Sequence, residues 1–196
     1  MKFTRFSLLL LVFLSTIFYT HAQNPKKYLD GYVILKTNDT VYGKLKKFNL
    51  IKSCVYFNFL NSDGKRVNFK KNEVIAYKRG DEEFVKKTHE IVPLQMQMWN
   101  SDAFMKVIER GKVTLYKIAY FIEEPMGNNL KMRKTVTIYY LERGNEFITF
   151  DGLAIRKQMM EFFGDRPDLV AKIKNKELKY KDMEELVKLY NDSSNN

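Results

Sequence analysis

The chain has 196 residues, 34 of them basic and 23 acidic, for a net charge of +11, with 45% hydrophobic and 14% aromatic residues. That balance excludes a chain too polar to bury a core. The single cysteine, Cys54, excludes an internal disulfide, and two histidines are too few for a histidine-rich zinc site.

The first 22 residues read as a secretory signal. Lys2 and Arg5 give a positive start, Phe6 to Phe18 is an apolar run, and Thr20 and Ala22 are small residues where a signal peptidase reads. Cleavage is expected between Ala22 and Gln23. The run is shorter than the roughly 20 residues that span hydrocarbon, and no cysteine follows to carry a lipid. Removing the leader takes two basic residues and no acidic one, leaving +9. The expected setting is outside the cytoplasm: periplasm, outer membrane or medium. Export puts nucleic acid out of reach and leaves an envelope protein, an acidic polysaccharide or peripheral contact with anionic lipid as partners.

Past the leader, Gly31 to Lys47 alternates as a hairpin, with Val33, Leu35, Val41 and Leu45 on the apolar face and a two-residue turn at Asn38-Asp39. Gly43 marks a bulge or a close backbone approach. Ser53 to Leu60 reads as a strand, Asn61 to Gly64 as a turn, and Arg66 to Lys70 as its return, with Val67 and Phe69 inward. Strands follow at Val74 to Lys78 and Glu83 to Lys87, joined by a turn at Arg79-Gly80-Asp81. The pattern blurs from Thr88 to Asp102. It resumes with strands at Phe104 to Glu109, Val113 to Phe121, Thr135 to Glu142 and Phe147 to Phe150, with a loop at Pro125 to Asn129.

The period then changes to three and four. Ile155, Met159, Phe162 and Phe163 mark one helix. Asp165 is expected to cap a second, with Pro167 and Asp168 in its first turn and Leu169, Val170 and Ile173 inward. A third, near Lys181 to Asn191, turns Met183, Leu186, Val187 and Tyr190 inward, and a polar, disordered tail follows. The pattern predicts an α+β, mainly β fold, an antiparallel β sandwich or barrel-like roll followed by about three C-terminal helices. The divisions are signal peptide 1–22, β domain 23–152, helices 153–191 and tail 192–196.

Three segments carry a resemblance: GYVILKTNDTVYGKL at Gly31 to Leu45, GKVTLY at Gly111 to Tyr116, and FFGDRPDLVAKI with LVKLYN at Phe162 to Ile173 and Leu186 to Asn191. Together with the leader they resemble a broad family of exported Bacteroidota proteins of unknown function. The resemblance implies a periplasmic or outer-membrane setting, and Arg166 stands where similar proteins are expected to carry cysteine.

Candidate chemistry is sparse. Cys54 sits in an apolar run, as a buried small hydrophobe would, and pairs with His89 as a nucleophile only if the fold brings them together. Met96 and Met98 share a strand face, which suits core packing better than a cuprous site. The acids Asp81, Glu82, Glu83, Glu109, Glu123 and Glu124 would serve glycoside chemistry only if two converged on one pocket. Thr40, inside Asp39-Thr40-Val41, fits an O-glycosylation acceptor, and Asn38 and Asn191 open N-linked sequons. No cofactor or metal is called for. The expected function is a non-enzymatic envelope protein that binds a protein or an acidic glycan. The alternatives are a glycan hydrolase with paired carboxylates and a structural subunit of an envelope assembly.

Overall fold

The computed structural model describes residues 27–70, 72–88, 102–126, 130–150 and 152–192. Strands β1 (Tyr28–Leu35) and β2 (Thr40–Lys46) form the first hairpin, and a short helix, α1 (Leu50–Val55), leads to β3 (Phe59–Leu60) and β4 (Arg66–Val67). A meander follows through β5 (Val74–Arg79), β6 (Glu82–Thr88), β7 (Asp102–Glu109), β8 (Thr114–Pro125), β9 (Lys131–Arg143) and β10 (Glu146–Thr149). Helices α2 (Ile155–Phe162), α3 (Pro167–Lys174) and α4 (Met183–Asp192) end the described chain. The strands make one antiparallel sheet in the order β10-β9-β8-β7-β6-β5-β1-β2-β3-β4. The fold is therefore mainly antiparallel β followed by C-terminal helices, as the pattern predicts, with the sheet open rather than closed.

Residues opposite one another in the register share a face, so the side chains sort into two surfaces. One surface carries Val33, Leu45, Phe59, Tyr77, Phe84 and Phe104 in the β1–β7 region. The same surface continues through Lys106, Lys117 and Tyr139 to Leu115 and Leu141, which α2, α3 and α4 cover with Met159, Phe162, Ile173, Leu186 and Tyr190. The opposite surface gathers Met105, Tyr116, Ile118 and Tyr140. There the sheet curls strongly: Lys87 Nζ on β6 lies 2.7 Å from Glu142 Oε1 on β9, three strands away.

Several local expectations change. Ser53 to Leu60 is not one strand, because Asn49 accepts the Lys52 N–H at 3.0 Å and caps α1, which packs against β7 and β8. Local capping and tertiary packing outweigh the β preference of the run. The first turn is longer than two residues: Leu35 N–H donates to Asp39 O and Asn38 N–H to Leu35 O, both at 2.9 Å, and Asn38 alone is left-handed, with φ of 67°. Gly43 marks a close approach, since a Cβ there would lie 2.4 Å from the Phe59 ring. Arg79, expected in a turn, ends β5 and is 1% exposed. Strand β9 starts at Lys131 rather than Thr135, and β8 runs on to Pro125, because Glu123 and Glu124 meet Lys131, Arg133 and Lys134 across the ladder.

The C-terminal helices match their predicted inward residues except Val170, which is only half-buried, and Pro167 opens α3, but Asp165 does not cap it. Its carboxylate instead accepts from Lys112 Nζ at 2.8 Å and from the Tyr190 hydroxyl at 2.7 Å. Asn191 is buried on α4, where its amide takes the Val113 N–H at 3.0 Å and donates to the Val113 carbonyl at 2.9 Å. That clasp ties the last helix to the start of β8.

Candidate functional site

Cys54 lies on α1, 6% exposed, and burial pushes its thiol up to about 11. A thiol so desolvated stays protonated, so the residue behaves as packing rather than as a nucleophile. Thr40 is exposed at the first position of β2, open to modification. Ala22, Gln23, His89, Met96 and Met98, and the tail after Asp192, lie outside the described residues. Among the described residues no group of three His, Cys, Asp or Glu side chains is placed to hold a metal ion.

The candidate acids are separated by the pleat. Glu82 turns to the face of Arg79 and Lys106, at 2.7 and 2.8 Å, while Glu83 turns to the other face and meets Arg110 at 2.5 Å. Glu123 and Glu124 stand on the β8–β9 hairpin, paired with Lys131 and Lys134 at 3.1 and 3.2 Å. Asp81 is exposed in the β5–β6 turn and Glu109 half-buried at the end of β7. Burial pushes the Glu82 carboxyl up, but hydrogen bonds from Lys106 and Arg79 outweigh it and hold Glu82 below its ordinary value. Glu142, Asp165, Asp168 and Glu184 are likewise held low.

Two polar clusters escape a reading of the sequence. Arg79 donates to the Lys46 carbonyl at 3.0 Å, the Phe48 carbonyl at 3.4 Å, the Ser53 hydroxyl at 3.1 Å and Glu82. It thereby fastens β5 to the β2–α1 connection. Inside the curl, Glu142 receives the Lys87 ammonium and the Tyr116 hydroxyl, and Lys87 lies 5.2 Å from the Tyr116 ring centre and 5.5 Å from that of Phe147. Apart from Glu82, three residues from Arg79, the partners of each cluster are far apart in sequence, so no local motif announces them. A shallow depression of about 310 Å³ between β10 and α2, bounded by Arg143, Glu146, Gln158 and Glu161, is open to solvent.

The β8–β9 hairpin is the most distinctive surface element. Four of its large apolar side chains are exposed: Phe121, Met126, Leu130 and Met132. The guanidinium of Arg133 lies 5.2 Å from the Phe121 ring centre. Strand β10 pairs with β9 only from Tyr140 to Arg143, so from Lys131 to Tyr139 no described strand covers the outer side of β9. Tyr139 shows which backbone groups point that way. Its N–H donates to the Tyr180 hydroxyl at 3.0 Å and its carbonyl accepts from the Thr149 hydroxyl at 2.7 Å, both away from β8. Backbone direction alternates along an antiparallel strand, so Thr137, Thr135, Arg133 and Lys131 turn their N–H and C=O groups to the same outer side.

Among the described residues no helix is long and apolar enough to cross a membrane. The chain matches no protein-family model, no curated protein and no solved structure.

Proposed function

We propose that the protein is a non-catalytic binding module of the cell envelope that takes an extended segment of a partner protein along the outer edge of β9. The observation that carries this reading is the open edge from Lys131 to Thr137, set beside the exposed Phe121, Met126, Leu130 and Met132. An uncovered strand edge supplies main-chain hydrogen bonds to an added strand, and neighbouring apolar side chains give that strand something to pack on. Among the candidate acids Glu82 is held low by Lys106 and Arg79, the direction opposite to what a general acid needs, which supports the non-catalytic part. The expected leader at residues 1–22 supports the envelope setting.

Proline at Thr135 removes an outward N–H without touching the bonds to β8, and edge strands tolerate proline. A crosslinkable amino acid at Thr137 should trap an envelope protein in intact cells, and Thr135→Pro should abolish the adduct with the melting temperature within a few degrees of wild type. An equal adduct from the folded Thr135→Pro chain would refute the edge as the contact.

A further inference from the structure

On the surface of the first hairpin that faces away from Phe59, Tyr32 and Tyr42 stand opposite one another, ring centres 5.8 Å apart and edge to face. Lys78 on β5 is opposite Tyr32, so Tyr42, Tyr32 and Lys78 form a row across three strands. Lys44 and Lys46 share that face, being two and four residues beyond Tyr42. Tyr42 is 73% exposed, the most exposed aromatic side chain among the described residues. A phenol ring held in water at a strand centre gives up burial that an aromatic residue ordinarily gains.

The row is backed from behind. On the reverse face Gly31 is opposite Gly43, and a Cβ at either would strike the Lys78 carbonyl, at 1.9 Å, or the Phe59 ring, at 2.4 Å. The ribbon is pressed against its neighbours, so the two rings are displayed on a firm support. The charge balance of the row is positive. Glu83, opposite Lys78 on β6, is engaged by Arg110 at 2.5 Å, and Asp30 makes only a loose 3.8 Å pair with Lys44 while its side chain remains 91% exposed.

We propose that this row is a binding site for a carboxylated polysaccharide, with the Tyr42 ring stacked on the C–H face of a uronic acid unit and Lys44 and Lys78 taking its carboxylates. Aromatic faces stack on flat, weakly polar faces, and ammonium groups bind carboxylates as point charges. A protein partner would call for an apolar patch instead, and this row has three lysines beside two phenols. The site lies on β1, β2 and β5, apart from the β9 edge, so the two readings succeed or fail separately.

The test is retention of the purified chain in a gel containing polygalacturonate, with uncharged dextran and anionic phospholipid vesicles run in parallel. Polygalacturonate should retard the wild-type chain in a salt-sensitive way and dextran should not. Tyr42→Ala should weaken retention by about fivefold, the effect of losing one stacking contact, while Tyr42→Phe keeps it. Lys44→Gln with Lys78→Gln should weaken it further than Lys172→Gln with Lys174→Gln, which removes the same charge from α3. The proposal is overturned by absent retention, by equal retention on dextran, by equal loss from the two lysine pairs, or by vesicle binding that depends on Tyr42 where polygalacturonate retention does not. Because Tyr42 is exposed, the Tyr42 variants should keep the wild-type circular dichroism spectrum, and the lysine pairs test the site independently.

Discussion

Arg79 shows how one side chain can hold a junction. Its guanidinium is 1% exposed, yet two main-chain carbonyls, a hydroxyl and Glu82 satisfy it, and its flat face lies 5.3 Å from the Phe84 ring centre. Truncation leaves buried acceptors with no donor, so Arg79→Ala should cost roughly 3–5 kcal/mol, read as a lower urea midpoint. Arg79→Lys should recover little of that, since one ammonium cannot reproduce the planar fork. An unchanged midpoint for Arg79→Ala would mean the fork contributes nothing. Cys54 gives a second test at this scale. With its thiol pushed up to about 11 by burial, it should resist an aromatic disulfide reagent at pH 8 in the folded chain and react within seconds in urea. Rapid labelling of the folded chain would contradict the burial. The sequence marks Cys54 as buried, which it is, but it misplaces the element that carries each of the two residues. The Arg-Gly-Asp run looks like a turn until β5 pairs with β1, and the apolar run around Cys54 looks like a strand until Asn49 caps a helix.

At the scale of elements, close contacts between strands govern what the sequence tolerates. A Cβ on Gly43 would meet the Leu60 carbonyl at 2.2 Å and the Phe59 ring at 2.4 Å, and neither can retreat, because β3 is hydrogen-bonded to β2 and Phe59 is fully buried. Gly43→Ala should therefore push β3 and β4 off the sheet and cost more than 1–3 kcal/mol, the usual range for overpacking. Calorimetry checks it, and a melting temperature equal to wild type would show that β3 is free to move. The β8–β9 hairpin follows a different logic. Its distal half buries little, and its cross-strand pairs, Lys131 with Glu123 and Lys134 with Glu124, are exposed pairs worth about 0.2–1 kcal/mol each. Its charged residues, Glu123, Glu124, Lys131, Arg133 and Lys134, fall outside the predicted strands because the alternation that marks a half-buried strand is missing where both faces are wet. Only the ladder from Phe121↔Thr135 to Pro125↔Lys131 reveals the extension, and the open edge with it.

Over the whole molecule, ionised carboxylates tie distant strands and helices together: Glu82 to β5 and β7, Glu142 to β6 and β8, Glu184 to Lys117 and Tyr139, Asp165 to Lys112 and Tyr190. Each has a folded pKa below its ordinary value, so each contributes stability that is present above about 4.5 for the glutamates and 3.8 for the aspartate, and lost as pH falls through the lower folded values. The urea midpoint should change little between pH 7 and pH 5 and fall steeply below about pH 4.5. A midpoint that held steady to pH 3 would show that these pairs do not support the fold. The sequence alone determined the mainly β class, the turn at Asn61 to Gly64 and the inward faces of the three C-terminal helices, because periodicity and turn chemistry are local properties of the chain. Tertiary structure alone decided the strand order, the burial of Arg79, the Asn191 clasp on Val113 and the uncovered edge of β9. Those depend on which surfaces meet after the sheet curls, and residues separated by dozens of positions carry no mark in the sequence of the partner they will find.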